Sequence, residues 1–316
     1  MNTSFKRTTA LFAVGLAVLA VSPAAAVAAP KKDAPANAPV QQQTAENLLT
    51  AMQGEAYANA KYLAFGDIAR SSGDNKVSHL FTKTAKVEVG QHFAELADEA
   101  SFVGSVEQNL QAAIDGESYE TTTMYPTFAR EAAAAGDTAA AELFTEIGAD
   151  ETTHAQNFQA ALDSLTTGAR VPAGPTASRA AVVAGGSGAS AGTLANLDTA
   201  MHGESFAYAK YMAYSEQARK SGHAAIARLF ERTAEVELTE HFREEGNLSG
   251  LAGDTVANLT SAIDGESYET TTMYPTFAQQ AIEAGDLSAA SRFLEIGADE
   301  ADHRDAFAKA RANATD

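Results

Sequence analysis

Seven acidic and imidazole residues in the first half of this 316-residue chain return in the second half, each 149 positions further along. Glu55, Glu88, His92, Glu117, Glu120, Glu151 and His154 pair with Glu204, Glu237, His241, Glu266, Glu269, Glu300 and His303. Between the first and last pair the register holds without an insertion or deletion. The segment AIDGESYETTTMYPTFA at 113–129 recurs letter for letter at 262–278. A chain built this way must fold as two copies of one unit, and each copy must deliver the same polar set to the same places.

Within a copy the apolar and acidic residues recur at helical spacing, as in Leu48, Ala51, Met52, Glu55, Ala58 and Tyr62. Thr44 and Thr193 read as helix N-caps. SSGD at 71–74 ends a first helix, and a second runs over about 75–100. A third starts at the SVEQ capping box near Ser105 and continues past Phe128. Gly136-Asp137 ends it, and a fourth covers 138–166. With no tryptophan, few prolines and no β-branched runs, the prediction is all-α: two four-helix bundles in tandem. The copies occupy 44–166 and 193–312. Residues 29–43 read as a disordered Pro/Ala/Gln spacer and 167–192, rich in Gly, Ala and Ser, as a flexible linker.

The chemistry lies in the spacing. Glu117 and Glu120 are three residues apart, as are Glu151 and His154, so each pair shares one helix face. Glu55 and Glu88 sit on apolar stripes, where an unpartnered carboxylate would cost several kcal/mol. Carboxylates brought together in a core repel and turn neutral unless cations lie between them. A metal site present twice resolves that conflict. Mixed carboxylate and imidazole ligation favours iron or manganese over structural zinc.

A glutamate from each of two helices plus Glu-x-x-His pairs on the others is the pattern of ferritin-like di-iron carboxylate bundles. More narrowly, NLLTAMQGEAYANAKYLAF at 47–65, GESYETTTMYPTFA at 116–129 and EIGADETTH at 146–154 resemble the rubrerythrin family. The resemblance implies a ligand set of Glu55, Glu88, Glu117, Glu120, Glu151 and His154, with Glu204, Glu237, Glu266, Glu269, Glu300 and His303 in the second copy. It implies that Tyr62, Tyr125, Tyr211 and Tyr274 stand behind the ligands. It also implies two di-metal centres, iron ahead of manganese, acting on peroxide or oxygen with an external electron donor. Glu120 and Glu269 are then candidates for carboxylates whose ligation changes with oxidation state. Pro126 and Pro275 fall within a helix and should kink it beside the site.

Two features depart from the family pattern. The family has Glu-x-x-His on the second helix, whereas here the histidine is four residues on: Glu88 to His92 and Glu237 to His241. A π-bulge could restore the register; otherwise Gln91 and Glu240 occupy the i+3 position. The chain also has no cysteine and so carries no rubredoxin-like module of four thiolates.

Chain length raises a topological question. Helix two travels roughly 18 Å past the level of Glu88, and helix three descends a similar distance to Glu117. Returning to the same end would take roughly 36 Å, yet residues 101–105 span at most about 18 Å. Helices one and two of one copy are therefore expected to pair with helices three and four of the other. The exchange can run within one chain or between chains, the latter giving a homo-oligomer. If helix three starts late, near Asp115, the unswapped bundle survives.

Lys6 and Arg7 precede the apolar stretch LFAVGLAVLAV, and Ala26-Val27-Ala28 gives a cleavage site. Residues 1–28 thus read as a signal peptide and the protein as exported. Losing them changes the formal charge from −19 to −21, which argues against nucleic acid and anionic membrane surfaces as partners. Three functions remain open: a peroxide- or oxygen-reducing enzyme, a protein that oxidises, binds or stores iron or manganese without turnover, and a structural module with vestigial sites.

Overall fold

The computed structural model describes residues 40–314. The predicted signal peptide and most of the 29–43 spacer lie outside the described residues. Eight helical rods follow in order: α1 (Gln42–Ser71), α2 (75–99), α3 (106–135), α4 (Thr138–Thr167), α5 (Ala191–Lys220), α6 (224–249), α7 (255–284) and α8 (Leu287–Ala314). Among the described residues there is no strand, and no helix is long and apolar enough to cross a membrane.

Two N-caps differ from the sequence reading. Helix α1 begins at Gln42, capped by Gln41, and Thr44 is buried inside the first turn. Ser190, not Thr193, caps α5 through its side chain. The reason is tertiary. Asp286 accepts the Gln41 amide at 2.9 Å, and its twin Asp137 accepts the Ser190 amide at 3.0 Å. Each first helix of a copy is thus anchored by a carboxylate from the other copy. At Ser105 the capping box forms as the SVEQ motif predicts, with Gln108 reciprocating.

The bundles are swapped within the chain. Leu48, Met52, Phe93 and Leu96 from α1 and α2 pack with Tyr274, Phe293 and Ile296 from α7 and α8. Toward the other end of that bundle, Tyr62, Phe65 and Phe81 meet Leu259 and Phe307. The second bundle reverses the contributions: Leu110 and Phe158 pack with Tyr211 and Phe230, and Tyr125 and Phe144 with Leu197. Helix α3 begins at Val106, four residues earlier than Leu110, so the late start that would rescue an unswapped bundle does not occur. The short α2–α3 connection carries the chain from one bundle into the next.

The bundles meet along α1 and α5. Tyr57 stacks on His202 with ring centroids 3.9 Å apart, and Ala60, Met201, Leu238 and Phe242 form a small shared core. Asp67 on α1 accepts from Arg243 on α6 at 2.7 Å and from Arg179 at 3.0 Å. The 167–192 segment has no regular secondary structure beyond its helical ends, but it is tethered along α6. Ala180 donates its amide to the Thr239 carbonyl, Val183 to Asn247 and Gly185 to the Ala252 carbonyl. Composition predicted flexibility here; the observed segment is a pinned strap, because α6 offers it side-chain and backbone partners. At Gly250, φ is +72° and an added Cβ would stand 2.9 Å from the Gly185 carbonyl oxygen. Only glycine fits that crossing.

Candidate metal centres

Each α2-type rod changes pitch at its ligands. α2 is π-helical over Glu88–Phe93 and α6 over Glu237–His241. The wider turn brings a residue at i+4 onto the face that i+3 holds in an α-helix, so His92 joins Glu88 and His241 joins Glu237. Gln91 is left exposed. Glu240, the alternative ligand, instead accepts the Ser178 amide of the strap at 2.7 Å. π-Helical turns also occur at Glu120–Met124 and Glu269–Met273. Pro126 and Pro275 follow them in the first turn of the next α-helical segment, where a missing N–H is tolerated.

One centre gathers Glu55, Glu88 and His92 from the first copy with Glu266, Glu300 and His303 from the second. The other gathers Glu204, Glu237 and His241 with Glu117, Glu151 and His154. All twelve are buried except His303, which is partly exposed. Glu300 places one oxygen 2.8 Å from His92 Nδ1 and the other 2.8 Å from His303 Nδ1. Glu88 does the same at 3.0 and 3.3 Å. In the second centre Glu151 spans His241 and His154 at 3.0 and 2.7 Å, and Glu237 at 2.9 and 3.2 Å. Two carboxylates therefore bridge two subsites in each centre. Glu55 and Glu266, or Glu204 and Glu117, sit at the outer ends.

In each four-residue group the ligand atoms lie within 4.8 Å of one another. Both oxygens of Glu88 and of Glu237, Nδ1 of His92 and of His241, and single oxygens of Glu117, Glu151, Glu266 and Glu300 have no hydrogen-bond partner. Buried polar atoms are rarely left so. Burial and Glu300 push the Glu55 carboxyl up to about 8. Burial and Glu151 do the same to Glu204, also to about 8. Glu266 is driven to about 12 by burial, Glu300 and Glu88. Burial also opposes charge on Glu300, but the His303 and His92 imidazoles beside it hold it at about 2. Without cations the cluster keeps protons it would shed to metal. The donor set, six ligands with two bridges, fits a pair of iron or manganese ions.

All four predicted tyrosines bind an outer carboxylate, always across copies. Tyr62 donates to Glu266 at 2.6 Å, Tyr274 to Glu55, Tyr211 to Glu117 and Tyr125 to Glu204. Glu120 and Glu269 stand outside the four-residue groups. Their carboxylates lie against Gly203 and Gly54, where the absent side chains leave room. Burial and the ligand glutamates push both well above the usual range. A cavity of about 320 Å³ lined by Tyr57, Lys61, Tyr62, His202 and Glu269 opens beside the Glu55 centre.

Three carboxylates escaped the sequence reading. Asp299 faces His92 Nε2 at 3.5 Å and Asp150 faces His241 Nε2 at 3.4 Å, the outer partners that fix an imidazole's orientation. Their signal was present, since each immediately precedes a bridging glutamate in both copies of the GADE motif. Glu245 is fully buried beside Tyr125. It has no twin, because position 96 is leucine.

Fold and site together define a class: an all-α, ferritin-like protein with paired carboxylate–histidine clusters inside four-helix bundles. A family model described as Rubrerythrin matches residues 89–162 and 195–311, more than half of the chain, which therefore belongs to the rubrerythrin family. Nigerythrin of Nitratidesulfovibrio vulgaris is 37% identical over 135 residues, 39% of this chain and 67% of that protein. A putative rubrerythrin of Methanocaldococcus jannaschii is 34% identical over 138 residues, 37% of this chain and 68% of that protein. Rubrerythrin of N. vulgaris is 38% identical over 128 residues, 36% of this chain and 66% of that protein. The chain thus spans about two thirds of the length of these relatives. No solved structure gives a significant match.

Proposed function

We propose that this chain is an exported oxidoreductase with two di-metal centres, iron in preference to manganese, that reduces hydrogen peroxide or oxygen using an external electron donor. The observation that carries this reading is the pair of bridging carboxylates in each centre, each offering one oxygen to either histidine side. Metal ions held there would supply the two electrons that peroxide reduction takes, and two protons complete its conversion to two waters. Glu88 and Glu300, with Glu151 and Glu237, fix the separation of the subsites. The tyrosines hold the outer carboxylates in place, and the cleft past Lys61 gives a small oxidant access. Glu120 and Glu269, poised beside the clusters, are the carboxylates free to swing inward when the charge of the centre changes. Export is supported by the charged and apolar leader at 1–28.

The activity is tested by loading the protein anaerobically with ferrous iron and following peroxide consumption against free iron at equal concentration. The Glu117→Gln, Glu266→Gln double variant, which removes one ligand from each centre, should lose the rate. An accessory reading, metal oxidation and storage without turnover, is favoured by the absence of any cysteine to form a thiolate electron-transfer site. A single turnover with ferric iron retained and no reductant able to restore activity would support it. Export is checked by mass spectrometry of the mature amino terminus, expected at Ala29.

A further inference from the structure

The two centres are not copies of one another. Tyr125 Oη donates to Glu204 and also lies 3.1 Å from Oε1 of Glu245. Its counterpart Tyr274 donates to Glu55 and has no second carboxyl, because Leu96 stands where Glu245 would. A phenol has one hydrogen. If it goes to Glu204, the contact with Glu245 is favourable only when Glu245 carries a proton and donates back to the phenol oxygen.

We infer that Glu245 is a positioning residue that distinguishes the two centres: its protonated carboxyl group donates to Tyr125, and Tyr125 commits its own hydrogen to Glu204. Burial supports the neutral form. Glu245 is fully buried on α6, and its Oε2 has no partner. Burial and the nearby Glu204 push its pKa well above the usual range, against the opposing pull of His241 and of the Tyr125 hydroxyl. In a core that leaves Glu245 no cation of its own, the proton is the least costly counter-charge. Chained hydrogen bonds polarise one another, so Tyr125 becomes a stronger donor to Glu204 than Tyr274 is to Glu55. Glu204 is then the less basic of the two outer ligands, and its centre binds divalent metal more weakly.

The consequence for affinity rests on the metal-binding reading above; the proton on Glu245 does not. The experiment compares wild type, Glu245→Leu and Glu245→Gln, each with and without Mn²⁺, by infrared difference spectroscopy and by competition titration of Mn²⁺. Leucine is the residue the other centre already carries, and glutamine keeps an N–H donor for Tyr125. The expected result is one carboxylic C=O stretching component that persists in Mn²⁺-loaded wild type, after the cluster carboxyls have shed their protons to metal, and is missing from both variants. Wild type should also show two classes of Mn²⁺ site separated roughly three- to tenfold, the size of one buried hydrogen bond. Glu245→Leu should merge the classes and Glu245→Gln should keep them apart. A band unchanged in both variants overturns the proposal, as does a site separation that Glu245→Leu leaves intact. If wild type takes up no Mn²⁺, the metal-binding reading fails, while the infrared comparison still decides whether Glu245 holds its proton.

Discussion

Tyr274 of the second copy gives its phenolic hydrogen to Glu55 of the first, so an outer carboxylate of one half of the chain is oriented by the other half. Replacing Tyr274 with Phe removes that donor from a buried carboxylate while leaving the ring volume in place. With the donor gone Glu55 becomes more basic, so the expected change is a roughly three- to tenfold gain in metal affinity, about 0.5–1.5 kcal/mol, confined to the Glu55 centre. Competition titration with a coloured chelator resolves it. An equal change at both centres, or a weakening at the Glu55 centre, would contradict the assignment.

The swap makes a prediction in metal stoichiometry. Glu55 and Glu266 belong to one centre although they lie in different copies; Glu55 and Glu117 lie in one copy but in different centres. The Glu55→Gln, Glu266→Gln double variant should therefore retain half of the wild-type metal. Glu55→Gln with Glu117→Gln should damage both centres. Metal analysis after dialysis distinguishes the two, and unswapped bundles would reverse the ranking.

The metal-free protein should lose stability as pH rises. Glu55 and Glu204 are raised to about 8 by burial and by Glu300 or Glu151. Between the unfolded value near 4.5 and that point, the folded state holds protons that the unfolded chain has released, so unfolding becomes easier with increasing pH. His303, raised to about 10 by Glu300 and Glu88 against the effect of burial, has the same sign: its contribution is complete below 6.5 and lost toward 10. Glu300, held near 2 by His303 and His92, acts oppositely and loses its contribution as pH falls from 4.5. Calorimetry with chelator should show the melting temperature falling from about pH 5 to pH 8. Saturating Mn²⁺ should raise it most at the upper end, because the metal takes ligands that have shed their protons.

Gly250 tests the strap. A Gly250→Ala change places Cβ against the Gly185 carbonyl at a positive φ. The expected cost is about 1–3 kcal/mol, read as a lower melting temperature. Metal content per folded chain should stay unchanged, since the strap's hydrogen bonds, among them those to Thr239, Glu240, Arg243 and Asn247, go to none of the clustered residues.

Much of the site was legible because its residues keep helical spacing and appear twice. The carboxylates, the histidines and the four tyrosines all follow from that pattern and from the resemblance it carries. His92 and His241 were the ambiguous pair, since i+4 in sequence says nothing about local pitch. The π-helical turns bring both histidines into the clusters, and Glu240 is drawn to the strap instead. Thr44 and Thr193 misled because capping preference is local, whereas Asp286 and Asp137 reach their helix starts only after the bundles assemble. Glu245 left no trace in a search for repeats, because its significance is that it does not repeat.

The sequence by itself determined the helices, the duplication and the kind of ligand, because these depend on periodicity and residue chemistry within short stretches of chain. The short α2–α3 connection even predicted the exchange of helix pairs, since chain length sets a hard limit on reach. Tertiary structure alone decided that the exchange is closed within one chain, that each bridge joins histidines from different copies, and that one centre carries an extra buried carboxyl. Those outcomes depend on which distant faces bury one another, and a carboxylate's protonation and partners are set by what surrounds it after that burial.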